Sequence, residues 1–351
     1  MKTSTTTTLG CDLGDKQSHV CELDAEGKVT RRRTVSTTKN AFEKFFASYE
    51  RVRVVIEAGT HSPWVSALLH RVGHEVIVAN PRNVRLISRN KSKSDRVDAE
   101  LLARLARVDP GLLSPIQHRG VVAQRELAMV RTRSELVATR TKLINHVRGS
   151  MKSQGERLPS STSEAFAKKA AGLIPKEMQA ALGPALKVIE GLTAELKVLD
   201  KKIERELPER YPEMVVLQQV NGVGGLTALT FILTLGDPTR FAKSRQVGAY
   251  LGLRPGRSQS GNADPELHIT KAGDRYLRSL LVNCAQYILG PFGKDSDLRR
   301  WGLELAARGN KNAKKRAVVA VARRLAVLLH RLWITGEVYE PLRHATKAIA
   351  A

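Results

Sequence analysis

The stretch Thr7-Thr8-Leu9-Gly10-Cys11-Asp12-Leu13-Gly14 decides how the first part of this chain folds. Its odd-numbered residues are β-prone and a glycine ends it, which is typical of a strand that stops at a turn. Two further β-prone runs, Ser18 to Leu23 and Lys28 to Ser36, flank the turn residues Asp24 to Gly27, so they predict a hairpin. We therefore expect three strands at the start of the chain.

Helices and strands alternate in the next segment. Asn40 to Tyr49 and Trp64 to Arg71 have helical patterns, whereas Arg53 to Glu57 and Glu75 to Ala79 are short apolar runs of the kind found in buried strands. Three strands, a helix, a strand, a helix and a strand predict an α/β unit, with long helices after it.

The middle of the chain carries two seams of apolar residues at near-heptad spacing. One runs from Val121 to Lys152 and the other from Ile189 to Ile203, with a polar stretch, Ser153 to Ser163, between them. Two long helices that pack as a coiled-coil arm explain this pattern, either within one chain or with a second copy.

The last third is helical and rich in glycine. Val220-Asn221-Gly222-Val223-Gly224 precedes one predicted helix, Arg275 to Leu289 form another, and a basic segment, Lys311 to Arg331, follows with an apolar stripe that we interpret as core. These features divide the chain into residues 1–115, a helical arm at 116–210, and a mostly α-helical part at 211–351.

The charge balance points to a polyanionic partner. The chain of 351 residues has a net charge of +24 and a pI near 10.3, and nucleic acid is the commonest partner for such a surplus. Hydrophobic residues make up 42%, enough to build cores. Three scattered cysteines favour a reducing cytoplasm over a zinc site or disulfides, and no apolar run is long enough to predict a membrane span.

Four acidic residues are candidates for a metal site. Asp12 and Glu57 end predicted strands, and Asp95 and Asp98 lie three residues apart on a predicted helix, so the last two share a face. Carboxylates are the ligands that Mg²⁺ prefers, and paired ions activate phosphodiester cleavage. Each acid alone is commonly a cap, a turn residue or part of a solvated face.

Motifs around these acids and in the last third resemble the DEDD transposases of the IS-one-ten family of insertion sequences. The N-terminal motifs are Gly10-Cys11-Asp12-Leu13-Gly14, Ile56-Glu57-Ala58-Gly59 and Lys93-Ser94-Asp95-Arg96-Val97-Asp98-Ala99; the C-terminal ones are Val220 to Gly224, Tyr250 to Pro255, Ser258 to Gly261 and Ile269 to Arg278. The resemblance covers both ends of the chain and skips its middle.

The resemblance implies a ribonuclease H-like (RuvC-like) N-terminal domain, a coiled coil and a C-terminal transposase domain. It implies that Asp12, Glu57, Asp95 and Asp98 bind metal, and that a serine in the C-terminal domain forms a covalent link to DNA. Motif alignment on the Ser-Gly step selects Ser260. Ser258 is kept as the alternative, because Gly261-Asn262 replaces the family's usual Gly-Gly. Family members are guided by a structured RNA encoded by the element.

Several C-terminal residues are predicted to contact nucleic acid. Gly222 and Gly224 fit a helix-hairpin-helix, whose backbone amides approach a phosphate, although a plain tight turn has the same pattern. The cations expected to contact phosphates are Arg254, Arg257, Lys271, Arg275 and Arg278.

Two other functions remain open at this level. A RuvC-like nuclease would use the same acids with water as nucleophile, and an architectural nucleic-acid-binding protein would use the acids only as caps and ion pairs. His61, close after Glu57, is either a proton shuttle or an ordinary loop histidine. Since the acids and the serine lie far apart in sequence, the two domains must meet, within one chain or between two, and we expect a dimer or tetramer on nucleic acid. The expected location is the bacterial cytoplasm, in association with the nucleoid.

Overall fold

The computed structural model describes residues 7–81, 95–260, 267–309 and 311–343. The chain divides into two compact units, residues 1–120 and 121–351. Of the residues 116–210 predicted as a helical arm, 116–120 belong to the first unit and 121–210 to the second.

The first unit is built on a five-stranded mixed sheet with the order β3-β2-β1-β4-β5. β2 is antiparallel to both of its neighbours, whereas β1, β4 and β5 run parallel. The strands lie close to their predicted bounds, and they are β1 (Thr8–Asp12), β2 (Gln17–Leu23), β3 (Val29–Ser36), β4 (Arg53–Glu57) and β5 (Glu75–Ala79).

Helices cover both faces of this sheet. α1 (Lys39–Phe46) and α2 (Ser62–Arg71) enclose one apolar core with Leu9, Cys11 and other strand residues. α3 (Asp95–Val108) packs on the opposite face. The predicted α/β unit is confirmed.

Gly10 sets how closely α3 approaches the sheet. A Cβ atom at this position would lie 1.9 Å from the carbonyl oxygen of Ala99 and 2.7 Å from the amide nitrogen of Ala103. Only glycine allows the helix backbone to come this near to β1. The contact holds the first turns of α3 against the centre of the sheet.

The second unit is helical. Its α-helices in the described ranges are α4 (Val121–Ser153), α5 (Phe166–Ala171), α6 (Lys176–Lys201), α7 (Leu207–Arg210), α8 (Glu213–Gln218), α9 (Gly225–Leu235), α10 (Arg245–Tyr250), α11 (Arg275–Leu289), α12 (Asp297–Ala307) and α13 (Lys311–Thr335). A π-helical turn, Lys202–Glu206, joins α6 to α7. The apolar stripe of α13 lies in the core, as predicted.

α4 and α6, which contain the two apolar seams, pack against each other within the chain. Their far ends enclose a separate core with α5. Along the seam, the buried guanidinium of Arg140 contacts Glu164 Oε1 at 3.0 Å and Thr193 Oγ1 at 3.3 Å. A polar group so placed disfavours other registers between the two helices.

α9 is the most deeply buried helix segment of the core. Ten of its residues, Gly225 and Thr227 to Leu235, are buried on all sides. Phe231 meets Trp333 of α13 with ring centroids 6.3 Å apart. Among the described residues, no helix combines the length and hydropathy that a membrane crossing requires.

Candidate active site

Asp12 and Glu57 point from the sheet toward α3. Side chains two residues apart on a strand share a face, and Gly10 contacts α3, so Asp12 faces α3 as well. Val55 packs with Leu102 of α3, which places Glu57 on the same face. β1 and β4 are parallel neighbours paired up to Cys11 and Ile56, and therefore both acids stand at the same end of adjacent strands.

The first turn of α3 supplies the other two acids, Asp95 and Asp98. Burial, together with the negative charges of Asp95, Asp98 and Glu57, raises the pKa of Asp12 to about 6. The four predicted acids therefore act on one another electrostatically, and the structure brings them to one end of the sheet.

His19 joins this group, although sequence analysis missed it. It stands opposite Asp12 in the β1–β2 register, and its Nε2 lies 3.6 Å from Asp95 Oδ2. Its ring also lowers the pKa of Asp12, against the stronger effects that raise it. The only sequence signal was the strand alternation, which places His19 on the same face as the buried Cys21, against α3.

The donor set fits a hard divalent cation by its chemistry, because four carboxylates create a strong negative potential. In the part of the chain that the structure describes, no three His, Cys, Asp or Glu side chains already stand close enough together to hold a metal ion. Binding a cation would therefore require these side chains to close around it.

His61 lies near the same end of the sheet, in the turn after β4. Trp64 Nε1 donates to His61 Nδ1 at 3.1 Å, so the ring proton resides on Nε2, which faces Asp15 Oδ1 at 3.5 Å. Both ring nitrogens have neighbours, as expected of an ordinary loop histidine.

The serine loop belongs to the second unit, and its described residues are 254–260 and 267–271. Ser258 and Ser260 are both exposed. Two backbone hydrogen bonds close its base, from Gly256 N to His268 O and from Thr270 N to Arg254 O, both at 2.9 Å. Gly261-Asn262 lies outside the described residues, as do Lys93 and Ser94 of the acidic motif.

Arg278, predicted to contact phosphates, braces this loop. Its Nη1 donates to the carbonyl oxygens of Leu251 at 3.0 Å and Ala272 at 2.7 Å, which links the two ends of the loop. Gly252 fits there because a Cβ would lie 2.2 Å from Ala272 N. Sequence analysis missed this bracing role. The other predicted cations are exposed: Arg254, Arg257, Lys271 and Arg275.

The predicted hairpin lies between α8 and α9. Gly222 has a φ of +91°, which favours glycine, and Gly224 is the exposed N-cap of α9. Asn221 Oδ1 accepts a hydrogen bond from Lys294 N at 3.2 Å. These contacts fix the turn that precedes the amino end of α9.

Two family profiles match the chain. One, a DEDD transposase profile described as "Transposase", matches residues 9–154, and the other, "Transposase IS116/IS110/IS902 family", matches residues 214–296. The first match contains all four acids and the second contains Ser260. The chain belongs to the IS110/IS116/IS902 family of transposases. It is therefore an enzyme that cleaves and transfers DNA strands.

Relatives of this transposase match it over nearly their whole length. The chain is 29% identical to the transposase for insertion sequence element IS1111A of Coxiella burnetii, over 94% of this chain and 90% of the relative. It is 27% identical to a probable family 20 transposase of Pseudomonas aeruginosa, over 95% and 98%, and 27% identical to the transposase for IS1328 of Yersinia enterocolitica, over 80% and 83%.

Proposed function

We propose that this transposase cleaves DNA with Ser260 as the nucleophile and with Mg²⁺ held by Asp12, Glu57, Asp95 and Asp98. The observation that carries this proposal is the placement of the four acids, two at the ends of the adjacent strands β1 and β4 and two in the first turn of the helix packed on Gly10. The raised pKa of Asp12 agrees with this placement. When bound, the metal would polarise the phosphodiester and stabilise the developing charge on the attacking and leaving oxygens.

The strand order supports a ribonuclease H-like, RuvC-like assignment for the first unit. Its antiparallel β2 beside parallel β1 and β4 places the acids at one end of the two central strands. Packing at Gly10 fixes the start of α3 against the same face. Each acid thus comes from an element whose position the fold determines.

The serine loop supports the nucleophile. An exposed hydroxyl on a loop whose base is closed by backbone bonds and by Arg278 can reach a phosphate without unfolding its support. In the proposed step, Ser260 Oγ loses its proton and bonds to phosphorus, and the departing DNA oxygen takes up a proton. A second strand end would later reverse this attack and join the DNA.

Two finer parts of the proposal rest on the resemblance and on charge. We propose that a structured RNA of the element selects the DNA by base pairing, which agrees with the net charge of +24. We also propose a dimer or tetramer on nucleic acid, because the acids and Ser260 belong to different units. A particle that stays monomeric in light scattering with RNA and DNA present would contradict the assembly.

A covalent-intermediate assay tests the nucleophile. End-labelled element-junction and target DNA are incubated with protein, Mg²⁺ and co-purified RNA, and then run on a denaturing gel. The wild type should give a labelled band that is shifted by the mass of the protein and is sensitive to protease. Ser260→Ala should lose this band, whereas Ser258→Ala should keep it.

The same gel distinguishes the competing chemistry. Cleaved DNA without a covalent band, persisting in Ser260→Ala, would favour metal-dependent hydrolysis by water. Loss of the band in Ser258→Ala alone would move the nucleophile to that residue. Asp12→Asn should abolish every product, because it removes a proposed metal ligand.

A further inference from the structure

Phe292 is exposed at the tip of a tight turn in the second unit. The turn Gly290-Pro291-Phe292-Gly293 links α11 to α12, and 78% of Phe292 is exposed to solvent. Single exposed apolar side chains are common on proteins, so exposure alone says little. What distinguishes this ring is the way its support is built.

The backbone beneath Phe292 is fixed without help from the ring. Arg299 Nη1 donates to the carbonyl oxygens of Ile288 and Gly290, the latter at 2.7 Å. Gly293 N donates to Gly290 O at 3.3 Å, and a Cβ at Gly293 would lie 2.1 Å from Ile288 O. An aromatic ring on a rigid support loses little conformational entropy when it binds a partner.

The surroundings of the turn suit nucleic acid. Lys294 is exposed, and its amide is bonded to Asn221 of the hairpin. Tyr287, half exposed, lies against Gly222, since a Cβ there would be 2.9 Å from the Tyr287 ring. The negative charge of Asp295 is offset by Arg300, whose two nitrogens bond to it at 2.6 and 3.0 Å.

We propose that Phe292 stacks on an unpaired base of the DNA while Lys294 contacts an adjoining phosphate. The chemistry of the family supplies such bases, because a strand that is cut from one duplex and joined to another must leave its complement. Aromatic stacking accepts any base, whereas the amino group of lysine attracts the backbone. The proposal does not depend on Ser260 or on the metal.

Binding to single-stranded DNA without Mg²⁺ tests this, because no cleavage takes part. The probes are a short single strand carrying 2-aminopurine, its duplex, and a single-stranded RNA of the same sequence. We expect the full chain to quench 2-aminopurine in the single strand. Phe292→Ala should lose the quenching and weaken single-strand binding by roughly 5- to 100-fold, with duplex binding changed less than about twofold.

Two further substitutions at this position separate stacking from general apolar contact. Phe292→Trp should keep the quenching and the affinity, whereas Phe292→Leu should behave like the alanine variant. Val338→Ala is the matched control, because Val338 is 79% exposed, and it should bind like the wild type. Three outcomes would overturn the proposal. They are wild-type quenching and affinity in the leucine variant, unchanged binding of single-stranded DNA by the alanine variant, and a loss of affinity for RNA that exceeds the loss for DNA.

Discussion

Asp12 shows at the level of one residue how the proposed site opposes the stability of the fold. Its folded-state pKa is raised to about 6, so its ionised form is unfavourable in the folded protein. At neutral pH this carboxylate is ionised and therefore lowers the free energy of unfolding. The fold gains stability as pH falls through 6 toward the ordinary aspartate value, since the folded protein then takes up a proton more readily than the unfolded chain.

Asp12→Asn should therefore stabilise the metal-free protein while it abolishes cleavage. The gain should be about 1–2 kcal/mol at pH 7.5, discounted for partial exposure, which is roughly 2–8 °C in Tm. It should shrink between pH 6 and pH 4. Differential scanning fluorimetry at several pH values, with a chelator present, measures it.

Asp237→Asn is a control of opposite sign. Hydrogen bonds from Thr239 lower the pKa of Asp237, so this substitution should destabilise the protein at neutral pH.

Added Mg²⁺ should raise the Tm of the wild type more than that of Asp12→Asn. An asparagine variant at position 12 that melts below the wild type at pH 7.5 would contradict the like-charge cluster.

Sequence patterns located residues whose roles depend on local order. Asp12 and Glu57 follow from strand endings, and Asp95 with Asp98 from helical spacing. His19 and the bracing role of Arg278 did not follow, because cross-strand register and the closure of a long loop are set by tertiary contacts. No local pattern distinguishes an arginine that braces carbonyl oxygens from one that faces phosphate.

At the level of elements, the packing of α3 on β1 is the contact that positions two acids. Gly10→Ala should force the two backbones apart and destabilise the fold by about 1–3 kcal/mol. The start of α3 would move with its acids, so cleavage should fall further than stability alone explains. Thermal unfolding and the covalent-band assay, both at a temperature where the variant is folded, check this.

Gly59→Ala is the matched control in the same unit. A Cβ at Gly59 meets nothing within 4 Å, so the melting temperature of the Gly59→Ala variant should stay near that of the wild type. If Gly10→Ala melted like Gly59→Ala and kept full activity, α3 would not depend on this close approach.

The long helices were predicted from the sequence, but the helix that each one packs against was not. The seams of α4 and α6 are visible in the sequence, but a heptad pattern is the same whether the partner helix is in the same chain or in another copy. The structure packs them together within the chain, with Arg140 buried along the seam. α5 and α12 were not predicted, because α5 has only six residues and α12 buries only Leu298 and Gly302.

For the molecule as a whole, the net charge of +24 predicts a steep salt dependence of DNA binding. If Arg254, Arg257, Lys271 and Arg275 each neutralise one phosphate, the logarithm of affinity should fall with the logarithm of salt with a slope of about −4 or steeper. Raising salt fourfold, from about 50 to about 200 mM, should then weaken duplex binding by roughly 250-fold or more in fluorescence anisotropy.

Single substitutions locate the contacts behind that slope. Arg275→Gln should reduce its magnitude by about one unit. Arg71→Gln should leave it unchanged, because Arg71 lies in the first unit and pairs with Glu43 at 3.1 Å. A slope near zero in the wild type would show that the charge surplus serves something other than the DNA backbone.

The burial of α9 has a consequence for how the protein is made. Its covering includes Trp333 of α13, which the ribosome adds about a hundred residues later. Residues 1–120 form a separate compact unit and can fold while synthesis continues. The apolar side chains of α9 stay exposed until α13 has been synthesised. A gene truncated before α13 would therefore still encode the four acids, but its product would leave α9 exposed and would bind chaperones or aggregate.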